Sequence, residues 1–148
     1  MTNSIERILD LNAPIGRVWQ ALADYKEFGS WFQLDLQGPF QVGKITTGKV
    51  TSSCHHGLPF WMRLETLEQP KRFSFVWPMD ETVSPDDPDL QNKVTLVEFT
   101  LEPKGDRTRM TLRESGFDKL PDNKGINVFR MNEGGWTMQM NNIKSYVE

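Results

Sequence analysis

The chain encodes an α+β fold: a curved antiparallel sheet of about six to seven strands wrapped around one long C-terminal helix, with two short helices after the first strand. Three observations predict it. Between residues 33 and 115, apolar side chains alternate at period two in short segments broken by turn residues such as Gly38-Pro39 and Gln69-Pro70, as in antiparallel strands. Helical spacing flanks that region on both sides, in Ile15, Val18, Trp19 and Leu22 before it and in residues 129–147 after it. The length, 148 residues, suits a single domain spanning 1–148 with a core that needs neither metal nor disulfide.

The first strand runs from Ile5 to Leu11, with Ile5, Leu9 and Leu11 on one face. Pro14 then suits the first turn of a helix, where its missing N–H has no partner to lose. A second short helix carries Tyr25, Phe28 and Trp31, with Gly29 as its weak point. In the sheet region Leu34 and Leu36, then Ile45 to about Ser53, then Phe60, Met62 and Leu64, then Phe73, Phe75 and Trp77 mark successive strands. Trp61 shares a face with Arg63 and Glu65, which points it to the outside of the sheet. Residues 78–92 carry Asp80, Glu81, Asp86, Asp87 and Asp89 and are expected to form a solvated, mobile loop.

The last hairpin has Val97, Phe99 and Leu101 on one face of its first strand and Met110 and Leu112 on its second. Pairing Glu102 with Arg107 across a turn at Pro103–Asp106 sets Phe99 opposite Met110 and Val97 opposite Leu112. It also brings an acidic face against a basic one. In the C-terminal helix Phe129, Asn132, Glu133, Trp136, Met140, Ile143 and Val147 fall in one stripe on the order of 100° wide. Gly134-Gly135 inside it should cost about 1 kcal/mol each relative to Ala, an expense that close approach to another element would offset.

Seventeen basic and twenty acidic residues give a net charge of −3 without a basic stripe, which argues against nucleic acid as a partner. No apolar run reaches the length of a membrane span. One cysteine, Cys54, cannot form an internal disulfide, and no signal peptide is visible at MTNSIERILD, so a cytoplasmic location is expected. Cys54-His55-His56 offers at most two same-face ligands on a strand. Asp86-Asp87-Pro88-Asp89 lacks the spacing and glycine of a calcium loop. No metal, cofactor, phosphate loop or nucleophile motif is therefore assigned. Five Trp and nine Phe are many large rings for one helix on one sheet.

Ala13-Pro14 with Val18-Trp19, Gly29-Ser30-Trp31-Phe32, Ser115-Gly116-Phe117, and Asn132 with Gly134-Gly135-Trp136 stand in an order and spacing that resembles the family homologous to the C-terminal domain of the heat-shock protein 90 ATPase activator. That family lies within the START-like helix-grip superfamily. The resemblance runs from about Ile5 to Val147. It implies a pocket between the long helix and the sheet of the kind that takes hydrophobic molecules, and it supplies no catalytic motif. The eukaryotic co-chaperone has an additional N-terminal domain for which this chain has no space, so a chaperone partner is not expected. A homodimer through an edge strand is compatible with the pattern but not required by it.

With that fold, Trp31, Phe75, Trp77, Phe99, Phe129, Trp136 and Met140 are candidates to line the pocket, or to be plain core. Asn132 and Glu133 are its candidate polar anchors. A carboxylate within an apolar stripe needs a partner or water. Glu133 therefore either faces the cavity, pairs with Arg63 or Arg113, or sits at a wet rim. The leading expectation is a non-enzymatic protein that binds a hydrophobic or amphipathic small molecule. The alternatives are a polyketide-cyclase or aromatase kind of enzyme using the same pocket, and a protein-interaction module acting through the outer sheet face.

Overall fold

The computed structural model describes residues 3–148. Strand β1 (Ser4–Leu11) leads into helices α1 (Ile15–Ala23) and α2 (Tyr25–Phe32). Strands β2 (Leu34–Leu36), β3 (Ile45–Val50), β4 (Pro59–Glu68), β5 (Arg72–Pro78), β6 (Val94–Lys104) and β7 (Arg107–Ser115) follow, and helix α3 (Gly125–Val147) ends the chain. All seven strands form one sheet in the order β1-β7-β6-β5-β4-β3-β2, each antiparallel to its neighbours. A register shift between Leu64 and Thr66, where β4 meets β5, adds the local bend that a bulge gives a sheet. The curved sheet grips α3, so the α+β helix-grip architecture expected from the sequence is the one observed.

Helix starts follow local chemistry. Pro14 caps α1 rather than entering it, and its carbonyl accepts from the N–H groups of Arg17 and Val18. Asp24 ends α1 and caps α2, its carboxylate accepting from the N–H groups of Lys26 and Glu27 at 2.9 and 3.1 Å. Gly29 is no weak point: a Cβ there would collide with the backbone carbonyl oxygen of Leu34. The glycine allows α2 to lie directly on the start of β2.

Three expectations are corrected. The hairpin turn is tighter than expected, with Lys104 opposite Arg107 and only Gly105 and Asp106 between them. Gly105, at φ 66°, supplies the positive φ that such two-residue turns demand. Phe99 therefore faces Leu112, Leu101 faces Met110 and Val97 faces Glu114. The acidic loop keeps Glu81, Asp86 and Asp89 exposed, as expected, but it is anchored rather than free. Met79 and Val83 are buried, and the Trp61 indole N–H donates to the Val83 carbonyl at 3.0 Å, so the loop covers the outer face on which Trp61 sits. Finally, among the described residues nothing approaches Gly134 or Gly135 within 4 Å of a Cβ position. Close packing does not explain this pair.

The two glycine classes separate in stability. Gly29→Ala is expected to destabilise by roughly 1–3 kcal/mol through overpacking. Gly134→Ala should stabilise by up to about 1 kcal/mol through helix propensity. Urea unfolding followed by tryptophan fluorescence measures both, and equal effects of one sign would refute the distinction.

Candidate functional site

Along β7, Thr108, Met110 and Leu112 point inward, and the same period carries Glu114 into the interior. Its exposure is 0%. Four side chains donate to it, and none is a cation. Oε1 accepts from the Trp136 indole N–H at 2.8 Å and the Asn132 amide at 3.2 Å. Oε2 accepts from the Trp77 indole N–H at 2.8 Å, the Thr95 hydroxyl at 2.5 Å and Asn132 at 3.0 Å. An indole N–H can only donate, so both carboxyl oxygens act as acceptors. The donors come from β5, β6 and α3, the elements that meet over β7.

The indoles of Trp77 and Trp136 stack at 5.6 Å with 27° between their planes. Phe32 stands nearly edge-on to both, at 5.9 Å from each. Beside these rings, between α3 and strands β2 to β5, lies a groove of about 410 Å³, within the range of small-molecule sites. Phe32, Phe60, Trp77 and Trp136 form its aromatic wall, Gly135 leaves it open from the helix side, and Asn132 supplies a polar edge. Met131 and Met138 stand at its mouth, 65% and 51% exposed. Glu114 lies behind this wall. A second hollow shares Val50, Phe60 and Trp77 with the groove and adds Asp80 and Glu81. Burial opposes the charge on Asp80, but the Thr82 hydroxyl and N–H together with Lys124 outweigh it and hold the carboxyl below its usual value.

Of the residues expected at the site, Trp77, Asn132 and Trp136 come together on the groove. Trp31, Phe75, Phe99 and Met140 lie in the core, where the Trp31 indole N–H donates to the Ala21 carbonyl at 2.8 Å. Phe129 packs on Phe117 at 5.2 Å and is not among the groove-lining side chains. Glu133 is exposed, and this corrects its placement in the buried stripe. Asn132 and Glu133 sit on opposite borders of that stripe. The Glu133 border faces the sheet edge, where Arg7 of β1 donates to the Glu133 carbonyl at 3.3 Å, so the carboxylate reaches water. Its pairing with Arg63 or Arg113 is not seen: Arg63 pairs with Glu65 and Arg113 with Glu98.

Glu114, Thr95, Phe32 and Phe60 are the participants that pattern reading passed over. Continuing the alternation of Met110 and Leu112 by one step would have flagged Glu114 as a carboxylate on the core face. Cys54, His55 and His56 are exposed in a turn between β3 and β4. Among the described residues no three potential ligands gather as a metal site, and no helix is long and apolar enough to cross a membrane.

A family model described as activator of Hsp90 ATPase homolog 1-like protein matches residues 12–148. The chain belongs to that family. No curated protein matches the sequence, but solved structures share the fold of this Hsp90-activator-like protein. A solution structure from Arthrobacter aurescens is 21% identical with TM-score 0.78, covering 98% of this chain and 86% of its own. The solution structure of the Aha1 dimer from Colwellia psychrerythraea is 18% identical with TM-score 0.73, covering 100% and 97%. DynU16, a protein of the dynemicin biosynthetic locus, is 20% identical with TM-score 0.71, covering 99% of this chain and 47% of its own longer one.

Removing the acceptor at position 114 strips the Trp136 indole, the Asn132 amide and the Thr95 hydroxyl of their shared partner and leaves Trp77 only the Thr95 oxygen. Glu114→Ala should therefore cost roughly 3–5 kcal/mol, and Glu114→Gln, which keeps one carbonyl oxygen, measurably less. Urea midpoints with tryptophan emission test this, and a loss below about 1 kcal/mol in both variants would contradict the network's structural weight.

Proposed function

We propose that the protein binds a hydrophobic or amphipathic small molecule in the groove between α3 and the sheet. The observation that carries the reading is the groove itself: about 410 Å³, walled by aromatic rings, with Met131 and Met138 exposed at its mouth. Burial of apolar surface there would supply about 25 cal/mol per Å², and the Asn132 amide would orient a polar group. Gly135 supports it too, because it occupies the helix position where any side chain would enter the groove.

An enzyme of the cyclase or aromatase kind draws its support from the fold likeness to a protein of a biosynthetic locus. The groove favours binding over acid–base turnover. Glu114 is sealed behind the indoles with both oxygens engaged, and His55 is the one titratable side chain among the lining residues.

Native mass spectrometry of protein purified without denaturant should show a bound small molecule, released on unfolding. Gly135→Leu should abolish that adduct while the melting temperature stays level or rises, since the new side chain fills only the groove and improves helix propensity. An empty wild-type protein, with no thermal shift across a panel of lipids and aromatic metabolites, would refute the reading.

A further inference from the structure

Resting on that reading, we propose that the ligand class is an amphipathic organic cation, a protonated or quaternary amine carrying an apolar body. Four observations converge on this. No lysine or arginine lines the groove, and none lines the adjoining hollow, where Asp80 and Glu81 are the charged residues. Asp80 is paired with Lys124 at 3.5 Å, which leaves Glu81 as the carboxylate at that end without a pair among the described residues. Behind the wall, the Glu114 carboxyl is held by neutral donors, and no cation among the described residues pairs with it.

The rings themselves point the same way. Trp77 gives its indole N–H to Glu114, and a donor bonded to an anion pushes electron density into its ring, deepening the negative face that attracts cations. Phe32 and Phe60 stand across the Trp77 ring at 70° and 81°, 5.9 and 6.1 Å away. Three partly exposed rings thus border the groove, and a cation seated there would contact aromatic surface. A carboxylate or phosphate ligand would instead find His55 as the single basic side chain lining the groove, with no lysine or arginine to pair with it.

The test compares three probes with the same alkyl chain by isothermal titration at submicellar concentration: octyltrimethylammonium, 1-octanol and octanoate. The expected order is cation, then alcohol, then carboxylate, with the cation ahead of the alcohol by about tenfold. Trp77→Leu should weaken all three probes, because it removes part of the aromatic wall, and should reduce that ratio toward one; Glu114→Gln should lower the ratio where the variant folds by circular dichroism. Equal affinities, or preference for octanoate, would overturn the cation assignment and leave the hydrophobic groove standing. No binding of any probe at millimolar concentration would overturn both the groove as a ligand site and the inference built on it.

Discussion

A carboxylate removed from water, with no cation beside it, survives in a protein only where dipoles replace its hydration shell. Glu114 meets that condition through two indoles, a hydroxyl and an amide. The consequence is mechanical as well as electrostatic. Trp77 belongs to β5, Thr95 to β6, Glu114 to β7, and Asn132 and Trp136 to α3, so one side chain fastens three adjacent strands and the middle of the long helix at a single point. Each indole N–H aimed at the carboxylate also fixes which way its ring faces.

The groove follows from where that fastening lies. With α3 held over β7, β6 and β5, and packed on α1, α2 and β1, the helix stands off from the far strands of a sheet that curves beneath it. Gln139 adds a second tie at the other end, its amide donating to the Phe32 carbonyl at 3.1 Å. Between the two ties the helix presents Gly135, which has no side chain to fill the space. A helix optimised only for stability would place Ala or Leu there. The missing side chain has its counterpart in the open volume it leaves.

The fold was legible because it is written in redundant periods. Alternation over many short strands and a long helical stripe identify a sheet gripping a helix even when individual boundaries move. The β6–β7 register shows the limit of such patterns. Moving the pairing by two residues returns every side chain to its original face, so Phe99 opposite Met110 and Phe99 opposite Leu112 satisfy the same alternation and the same match of acidic with basic faces. Only the turn decides between them, through the positive φ of Gly105. The site was half legible. Asn132, Trp77 and Trp136 announce themselves by chemistry and spacing, but Glu133 drew attention away from Glu114. Helical periodicity places a residue to within a border of the stripe, and which border meets the sheet edge is a tertiary fact. Trp61 does sit on the outer face expected for it, but that face is covered by a loop, which alternation within the sheet does not reveal.

Buried polar networks are seldom the most stable solution for a core, and hydrocarbon of equal volume often does better. Their advantage is orientation. A leucine or methionine at 114 would pack against Trp77 and Trp136 without dictating the angle of either ring, and the indoles, freed from directed hydrogen bonds, could tilt toward the adjacent open space. Rings that close a groove bury more apolar surface than rings that wall it, so a purely hydrophobic position 114 favours collapse. The carboxylate opposes that collapse because any tilt that improves packing lengthens a hydrogen bond in a site with no water to replace it. Groove shape and buried polar network are therefore one device: the group that ties down both indoles also keeps the aromatic wall upright.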